Sequence, residues 1–182
     1  MGTRKASEQG LEQARALSRE LAERGVTVLS GLARGIDAAA HEAALEAGGR
    51  TVAVMGTGIE RIYPREHGPL GERIAERGAL VSQFWPDAPP TRQSFPMRNV
   101  VMSGMAVGTI VLEASSTSGA RMQARLALEH GKRLFLVRSL VMQESWARRY
   151  AEHPATTVVE SVEDVLDVLA EMAQPVEQLT LG

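Results

Sequence analysis

The sequence contains no cysteine among its 182 residues. Disulfide bonds and thiolate metal sites are therefore excluded, and the composition suits a reducing compartment. No apolar run reaches the roughly 20 residues that a membrane-spanning helix needs, and the first residues show no signal-peptide pattern. These absences predict a soluble, cytoplasmic protein with no membrane partner.

Aromatic residues are also scarce, at 4% of the chain, and the formal net charge is −2. A broad aromatic platform for stacking nucleobases is therefore not expected, although one or two rings could serve in that way. A surface that is basic throughout is excluded too, so a nucleic-acid binder of this composition needs its Lys and Arg side chains gathered on one face. With 44% hydrophobic residues, the chain can bury one substantial core.

Short apolar runs alternate with helical patterns along the chain, and glycine marks many of the connections. Such alternation is typical of an α/β protein with a doubly wound, mainly parallel sheet in three layers. We predict a single domain over 1–173 and a C-terminal tail at 174–182. Helices are predicted at 7–24, 36–47, 66–77, 98–105, 121–130, 144–152 and 162–173. Strands are predicted at 26–30, 51–55, 79–84, 109–113, 133–137 and 156–159.

The most informative stretch joins the first predicted strand to the helix that follows it. From Val26 to His41 it reads V-T-V-L-S-G-L-A-R-G-I-D-A-A-A-H, in which a β-branched run stops at Ser30 and Gly31 before a helix begins at Ile36. A glycine loop between a buried strand and a helix N-terminus is how a parallel α/β sheet builds a site for an anion. We therefore expect the function of the protein to reside at this loop.

Two further segments have the composition of a binding site. Four consecutive hydroxyl residues at 115–118 exceed what one helix N-cap requires, which favours a phosphate or carboxylate ligand over simple capping by Ser118. A proline-rich segment at 87–96 is predicted to be an ordered surface loop. At its end, Phe95 either anchors the loop in the core, which is the more common role of a lone aromatic, or stacks on a base. In the second case Arg98 would bind a phosphate and Asn99 would contact a base edge.

Cofactor and metal motifs fail on inspection. Gly56 and Gly58 follow a strand, but Arg61 stands where a dinucleotide-binding loop needs its third glycine, and no P-loop sequence is present. Asp37 and His41 are one helical turn apart, which suits a shared metal, yet no third ligand lies near them in sequence. A hydrogen bond between the two side chains within the helix is the favoured interpretation. We predict no cofactor and no metal.

Four segments occur in the order found in the DNA-processing protein A (DprA/Smf) family. They read S-G-L-A-R-G-I-D-A-A-A-H, T-V-A-V-M-G-T-G-I-E-R-I-Y-P, G-A-L-V-S-Q-F and F-P-M-R-N-V-V-M-S-G, and the resemblance runs over about residues 2–137. It implies an extended Rossmann-like fold that binds single-stranded DNA, protects it during natural transformation and helps to load a RecA-type recombinase. It also implies a homodimer, and a binding protein rather than an enzyme, with no catalytic residues.

The same resemblance implies a pocket in which an arginine holds a DNA phosphate above the glycine loop. The implied DNA- and phosphate-binding residues are Arg4, Ser30, Gly31, Arg34, Phe95, Arg98, Asn99, Ser118 and Gly119. Met97 and Val100 stand where the family often has further arginines. Each lost phosphate contact lowers the salt dependence of log K by about 0.7 for a single strand. Binding weaker than that of a typical member is therefore expected.

The amino terminus departs from the family pattern. The family's first strand is normally central in the sheet and leads into the turn that Gly2, Thr3 and Arg4 match, but only Met1 precedes that turn here. A sheet that lacks its central strand leaves the backbone groups of the neighbouring strands unpaired. Either the start is truncated relative to a longer chain, or the strand order closes up.

Two other functions remain as alternatives. A related Rossmann group, the LOG-type phosphoribohydrolases, cleaves nucleoside monophosphates with the help of a glutamate at the position of Gln123. An amide cannot act as a general base, so this enzymatic reading is disfavoured. A nucleotide-sensing module is the other alternative, because the acidic net charge and the lost arginines are compatible with it.

Overall fold

The computed structural model describes residues 1–173, and the tail predicted at 174–182 lies outside them. Within the described residues, short strands alternate with helices along the chain. The strands are β1 (Val28–Ser30), β2 (Thr51–Val54), β3 (Ala79–Val81), β4 (Gly108–Val111), β5 (Arg133–Val137) and β6 (Thr156–Val159). The helices are α1 (Glu8–Glu23), α2 (Ile36–Glu46), α3 (Gly68–Arg77), α4 (Ser94–Met105), α5 (Gly119–Glu129), α6 (Arg138–Gln143), α7 (Ser145–Ala151) and α8 (Val162–Ala173), with a 3-10 turn at Arg65–His67.

The strands form two parallel, three-stranded sheets with the orders β1-β2-β3 and β4-β5-β6. Ser30 lies opposite Ala53 in the first sheet, and Val111 lies opposite Leu136 in the second. Helices pack on the strands of both sheets, with α1 in contact with both α2 and α8, and with α4 packed on α5. The predicted α/β fold with parallel strands between helical layers is confirmed.

Helix α4 begins four residues before the start predicted at Arg98. Thr91 and Ser94 form reciprocal hydrogen bonds between backbone N–H and side-chain hydroxyl, of 3.0 and 3.1 Å, which fix the entry to the helix. Pro96 then falls in the first turn, where backbone N–H groups have no intrahelical acceptor and a missing donor costs nothing. The last three residues of the predicted loop at 87–96 are therefore helical.

The remaining differences lie at the ends of elements. Helix α6 is absent from the sequence-based assignment because it follows β5 directly and has only six residues, which is too short for a clear helical period. Strand β1 begins at Val28 and strand β3 ends at Val81, so both are shorter than predicted. The helix predicted from 66 is a 3-10 turn followed by α3.

Strands β1 and β4 face each other without pairing. The segment from Met1 to Thr3 runs beside the end of β4, where Leu112 N donates to Met1 O at 3.2 Å and Thr3 N donates to Glu113 O at 2.8 Å. Between the two sheets lies a cavity of about 490 Å³. Its lining includes Val28, Leu29, Ile110 and Phe135. Of the two alternatives for the amino terminus, the one in which the strand order closes up is not found in the described residues, where β1 and β4 do not pair.

The buried apolar side chains form two clusters. The smaller lies beside the first sheet and consists of Leu32, Ala53, Leu70 and Ile74. The larger contains side chains from α1 and α2, from β4, β5 and β6, and from α5, α6, α7 and α8. Trp146 and Phe135 are the largest side chains in it. Because this larger cluster includes α1 and α2, which also pack on β1, burial of its apolar surface links the first sheet to the second. No helix within 1–173 has the length and apolar character needed to cross a membrane.

Candidate nucleic-acid interface

Loops at the carboxyl ends of the strands surround an open cavity of about 740 Å³, which we call the carboxyl-edge pocket. In open parallel α/β sheets this edge is where ligands bind. Six of the nine predicted site residues line the pocket: Arg4, Phe95, Arg98, Asn99, Ser118 and Gly119. Gly31 and Arg34 line a smaller recess of about 40 Å³ that shares Arg4 and Phe95 with it. Ser30 lies beneath, is buried, and lines neither.

Arg98 forms the floor of the pocket and is only 5% exposed. Its Nη1 donates to the carbonyl oxygens of Gly31 at 2.6 Å and Val54 at 2.7 Å, and its Nε donates to Asn99 Oδ1 at 2.9 Å. A Cβ on Gly31 would lie 2.2 Å from Nη1, so the guanidinium needs a glycine there. Arg98 thus braces the ends of β1 and β2, and its contact with a DNA phosphate stays a prediction.

Charge around Arg98 is balanced inside the protein. Burial lowers the pKa of Arg98, and the nearby carboxylate of Asp37 opposes that shift. Arg98 remains protonated even so, because a guanidinium group is too strong a base to be deprotonated in a protein. The pocket floor therefore carries a fixed positive charge. This charge interacts with Asp37 and can also attract a bound anion.

The glycine loop after β1 is held by side chains from distant elements. Leu32 is buried and has a φ of 57°, a left-handed conformation that a leucine rarely adopts. His67 Nδ1 donates to Leu32 O at 2.8 Å, while Arg98 bonds to the preceding carbonyl of Gly31. These contacts compensate for the backbone strain. The loop is therefore preorganised before any ligand arrives.

The N-terminus of α2, where the sequence predicts an anion, is covered by the start of the chain. A Cβ on Gly35 would lie 2.6 Å from the carbonyl oxygen of Thr3, so the N-terminal segment crosses directly over the helix end. Asp37 lies in the first turn of α2 and is buried. Its negative charge therefore interacts favourably with the positive end of the helix dipole, in the place of an external anion. Arg34, which is exposed beside this crossing, forms an ion pair with Glu66.

His41 does not bond to Asp37, so the hydrogen bond predicted within α2 is wrong. Its Nδ1 lies 2.6 Å from Thr51 Oγ1, and that hydroxyl donates its only hydrogen to Val28 O at 2.7 Å. Nδ1 must therefore be the donor, which makes His41 the neutral Nδ1–H tautomer. Burial lowers the pKa of His41 to about 4. Within 1–173, no group of three or more His, Asp or Glu side chains could hold a metal.

Two aromatic rings and a cation meet at the rim of the pocket. The guanidinium carbon of Arg4 lies 5.3 Å from the ring centroid of Phe95, and the ring of Tyr63 lies 5.7 Å from it at 48°. Phe95 packs against Gly56, where a Cβ would come within 2.6 Å of the ring. Both roles considered for Phe95 therefore remain compatible, since one side anchors the loop and the ring still lines the pocket.

Tyr63 and Arg92 belong to the rim but have no signal in the local sequence pattern. Tyr63 is 44% exposed, and both residues line the carboxyl-edge pocket. A lone tyrosine in an irregular loop and an arginine in a proline-rich segment are common surface residues. Only the fold brings them beside Phe95.

The hydroxyl segment forms the opposite wall. Ser118 Oγ accepts from Arg121 N at 3.2 Å, so the N-cap of α5 is confirmed. Ser115, Ser116 and Thr117 remain exposed, and a ligand at these hydroxyls stays a prediction. Gly119 comes close to Asn99, since a Cβ there would lie 3.9 Å from Asn99 Nδ2.

Positive charge is concentrated in the loops around the pocket. Segments 1–5, 31–35, 57–67 and 84–98 carry seven Lys and Arg residues against three Asp and Glu residues, whereas the whole chain has a net charge of −2. The cations are Arg4, Lys5, Arg34, Arg61, Arg65, Arg92 and Arg98. A nucleic-acid binder with this composition needs its Lys and Arg side chains gathered on one face, and these loops gather them at the carboxyl edge of the sheets.

Comparison with known proteins gives a consistent result. A family model described as DNA recombination-mediator protein A matches residues 1–170. Protein Smf from Escherichia coli (strain K12) is 46% identical over 136 residues, which are 74% of this chain and 36% of that protein. The chain thus spans about a third of the length of this relative.

Two solved structures share the fold. DNA processing protein A from Streptococcus pneumoniae superimposes with a TM-score of 0.80 at 32% identity, over 92% of this chain and 59% of that one. The protein of the same name from Helicobacter pylori, described with a single-stranded-DNA binding mode, gives a TM-score of 0.83 at 26% identity, over 94% of this chain and 79% of that one. The Rossmann-like fold expected from the sequence is confirmed by both.

Proposed function

Since the chain belongs to the DNA recombination-mediator protein A family, we propose that it binds single-stranded DNA in the carboxyl-edge pocket. The observation that carries this proposal is the gathering of seven cations and the Phe95–Tyr63 ring pair at one edge of an otherwise acidic chain. Cations there neutralise phosphates, and aromatic faces stack on bases without regard to sequence. The single-stranded-DNA binding mode of the Helicobacter pylori protein supports the same ligand class.

The pocket divides this work between its parts. Exposed Arg4 and Arg92 can follow the DNA backbone, because long cationic side chains at a surface adapt to successive phosphates. Arg34 is also exposed, but it would have to exchange its ion pair with Glu66 for a phosphate. Phe95 and Tyr63 offer aromatic surface to an unpaired base, which a duplex cannot present. Preference for single strands over duplex follows from this need for free base faces.

A binding role is favoured over catalysis. Gln123 stands where the LOG-type hydrolases have a catalytic glutamate, and it lines the cavity between the sheets rather than the carboxyl-edge pocket. It is also fully buried. An amide in that place has neither the basicity nor the access for hydrolysis of a nucleotide. We therefore propose a recombination mediator that is not an enzyme.

The wider biological role follows from kinship. We propose that the chain protects single-stranded DNA and assists the loading of a RecA-type recombinase during recombination or transformation, as a homodimer. The description of the family as a recombination mediator supports this role. A cysteine-free chain suits the reducing cytoplasm, where we place this activity.

Titration of fluorescent oligo-dT at a series of salt concentrations tests the proposed function. We expect measurable binding at low salt, and a log–log salt slope of about −0.7 for each phosphate contacted. A duplex of the same length should bind more weakly. Calorimetry with AMP and CMP, and chromatography for released base, form the second arm. Absence of oligo-dT binding at low salt, or release of free base, would contradict the proposal.

A further inference from the structure

The most exposed large apolar side chain of the described residues lies outside the carboxyl-edge pocket. Trp85 follows β3 at the same edge of the sheet and is 83% exposed. The only other tryptophan, Trp146, is 1% exposed in the core. An indole exposed to this extent forgoes the burial that most large apolar side chains obtain, which leaves its aromatic surface available for stacking.

The backbone that carries Trp85 is firmly held. Trp85 O accepts from Ala88 N, Pro86 O accepts from Glu60 N, and Ala88 O accepts from Gly58 N, each at 2.9 Å. A Cβ on Gly58 would lie 2.1 Å from Trp85 O, so the two loops touch closely where Gly58 has no side chain. The exposure of the indole is therefore not the result of a loose loop, because its position is fixed by the loop after β2.

The same loop leads directly into the carboxyl-edge pocket. Pro90, Thr91 and Arg92 line that pocket, and Pro90 is five residues after Trp85. Five residues span at most about 18 Å, and a stacked strand covers roughly the same distance in five nucleotides at about 3.4 Å each. Exposed Arg61 lies in the neighbouring loop, so cations accompany the path.

We propose that Trp85 is a second base-stacking platform, which receives a nucleobase of a single strand after it leaves the carboxyl-edge pocket. This inference rests on the proposed function and extends it from a pocket to a path with aromatic contacts at both ends. An indole face stacks on any base, so the contact adds affinity without adding sequence preference. It acts only on strands long enough to reach from Phe95 to Trp85.

The test compares Trp85→Ala with the wild-type chain on oligo-dT of about three nucleotides, too short to reach Trp85 from the pocket, and of about fifteen nucleotides, near the upper end of the site sizes of single-strand binders. We expect Trp85→Ala to weaken binding of the longer strand about tenfold and to leave the shorter strand unaffected. Val107→Ala is the matched control, because Val107 is an exposed apolar residue that precedes β4 at the opposite edge. It should bind both strands as the wild type does.

Tryptophan fluorescence provides an independent readout. Saturation with the longer strand should quench the indole emission of the wild type, and this change should disappear in Trp85→Phe, which retains only buried Trp146. Equal affinity of Trp85→Ala and wild type for the longer strand, or quenching that persists in Trp85→Phe, would overturn the inference while leaving the proposed function intact. A wild-type chain that binds neither strand would overturn both.

Discussion

The floor and the rim of the carboxyl-edge pocket use the same residue types in opposite ways. On the floor, Arg98 is buried and donates hydrogen bonds to carbonyl groups of the protein itself. On the rim, Arg4 is exposed and its guanidinium lies over the ring of Phe95. Residue type and motif therefore do not decide whether an arginine contacts a ligand. Its environment separates an arginine that shapes a site from one that binds in it.

The largest expected effect is on stability, and it comes from replacing Arg98 on the floor of the pocket. Arg98→Ala removes a buried cation, leaving two strand-end carbonyls without a donor and the charge of Asp37 without its nearby cation, so we expect a loss of about 3–5 kcal/mol in the free energy of unfolding. Thermal unfolding should show a fall in Tm of about 10 °C. Arg98→Lys, which keeps the charge, should lose less. Unchanged stability with lost DNA binding would instead make Arg98 a direct ligand.

The next effect concerns the titration of the buried side of α2. Because the pKa of His41 is about 4 in the folded chain and 6.5 in the unfolded chain, the unfolded chain binds more protons between these values. The free energy of unfolding should therefore fall by roughly 3 kcal/mol as pH falls from 7 to 4. Above pH 7 this contribution is fully present.

His41→Asn, which keeps a donor for Thr51, serves as the comparison for denaturant unfolding across that range. Its stability should depend less steeply on pH than that of the wild type, and the difference isolates His41 from acid titration of the surface carboxylates. Parallel curves for the two chains would contradict the assignment.

The smallest expected effect is on DNA binding, and it comes from replacing Arg4 on the rim of the pocket. Arg4→Ala removes an exposed cation, so we expect unchanged Tm and about tenfold weaker binding of oligo-dT at low salt, with the salt slope reduced by about 0.7. Arg77→Ala, at the exposed end of α3 on the opposite edge, is the control and should bind normally. A fall in Tm for Arg4→Ala similar to that for Arg98→Ala would erase the distinction between floor and rim.

The sequence predicts which segments are helix and strand, because periodicity and glycine positions report which faces are buried. It does not predict the role of Arg98, whose carbonyl partners lie 67 and 44 residues away in the chain. The partner of His41 was missed for a similar reason, since Thr51 is on the next strand rather than on the same helix. Local patterns identify candidates, but partners between distant elements depend on the assembled fold.

The gap between the two sheets gives the molecule a seam. Backbone hydrogen bonds join the strands within each sheet, whereas β1 and β4 do not pair in residues 1–173. The carboxyl-edge pocket straddles this seam, because Ala33 follows the first half's β1 and Ser115 follows the second half's β4. A single strand of DNA bound in the pocket would contact both halves and so hold them together. By mass action, its binding then favours the closed molecule.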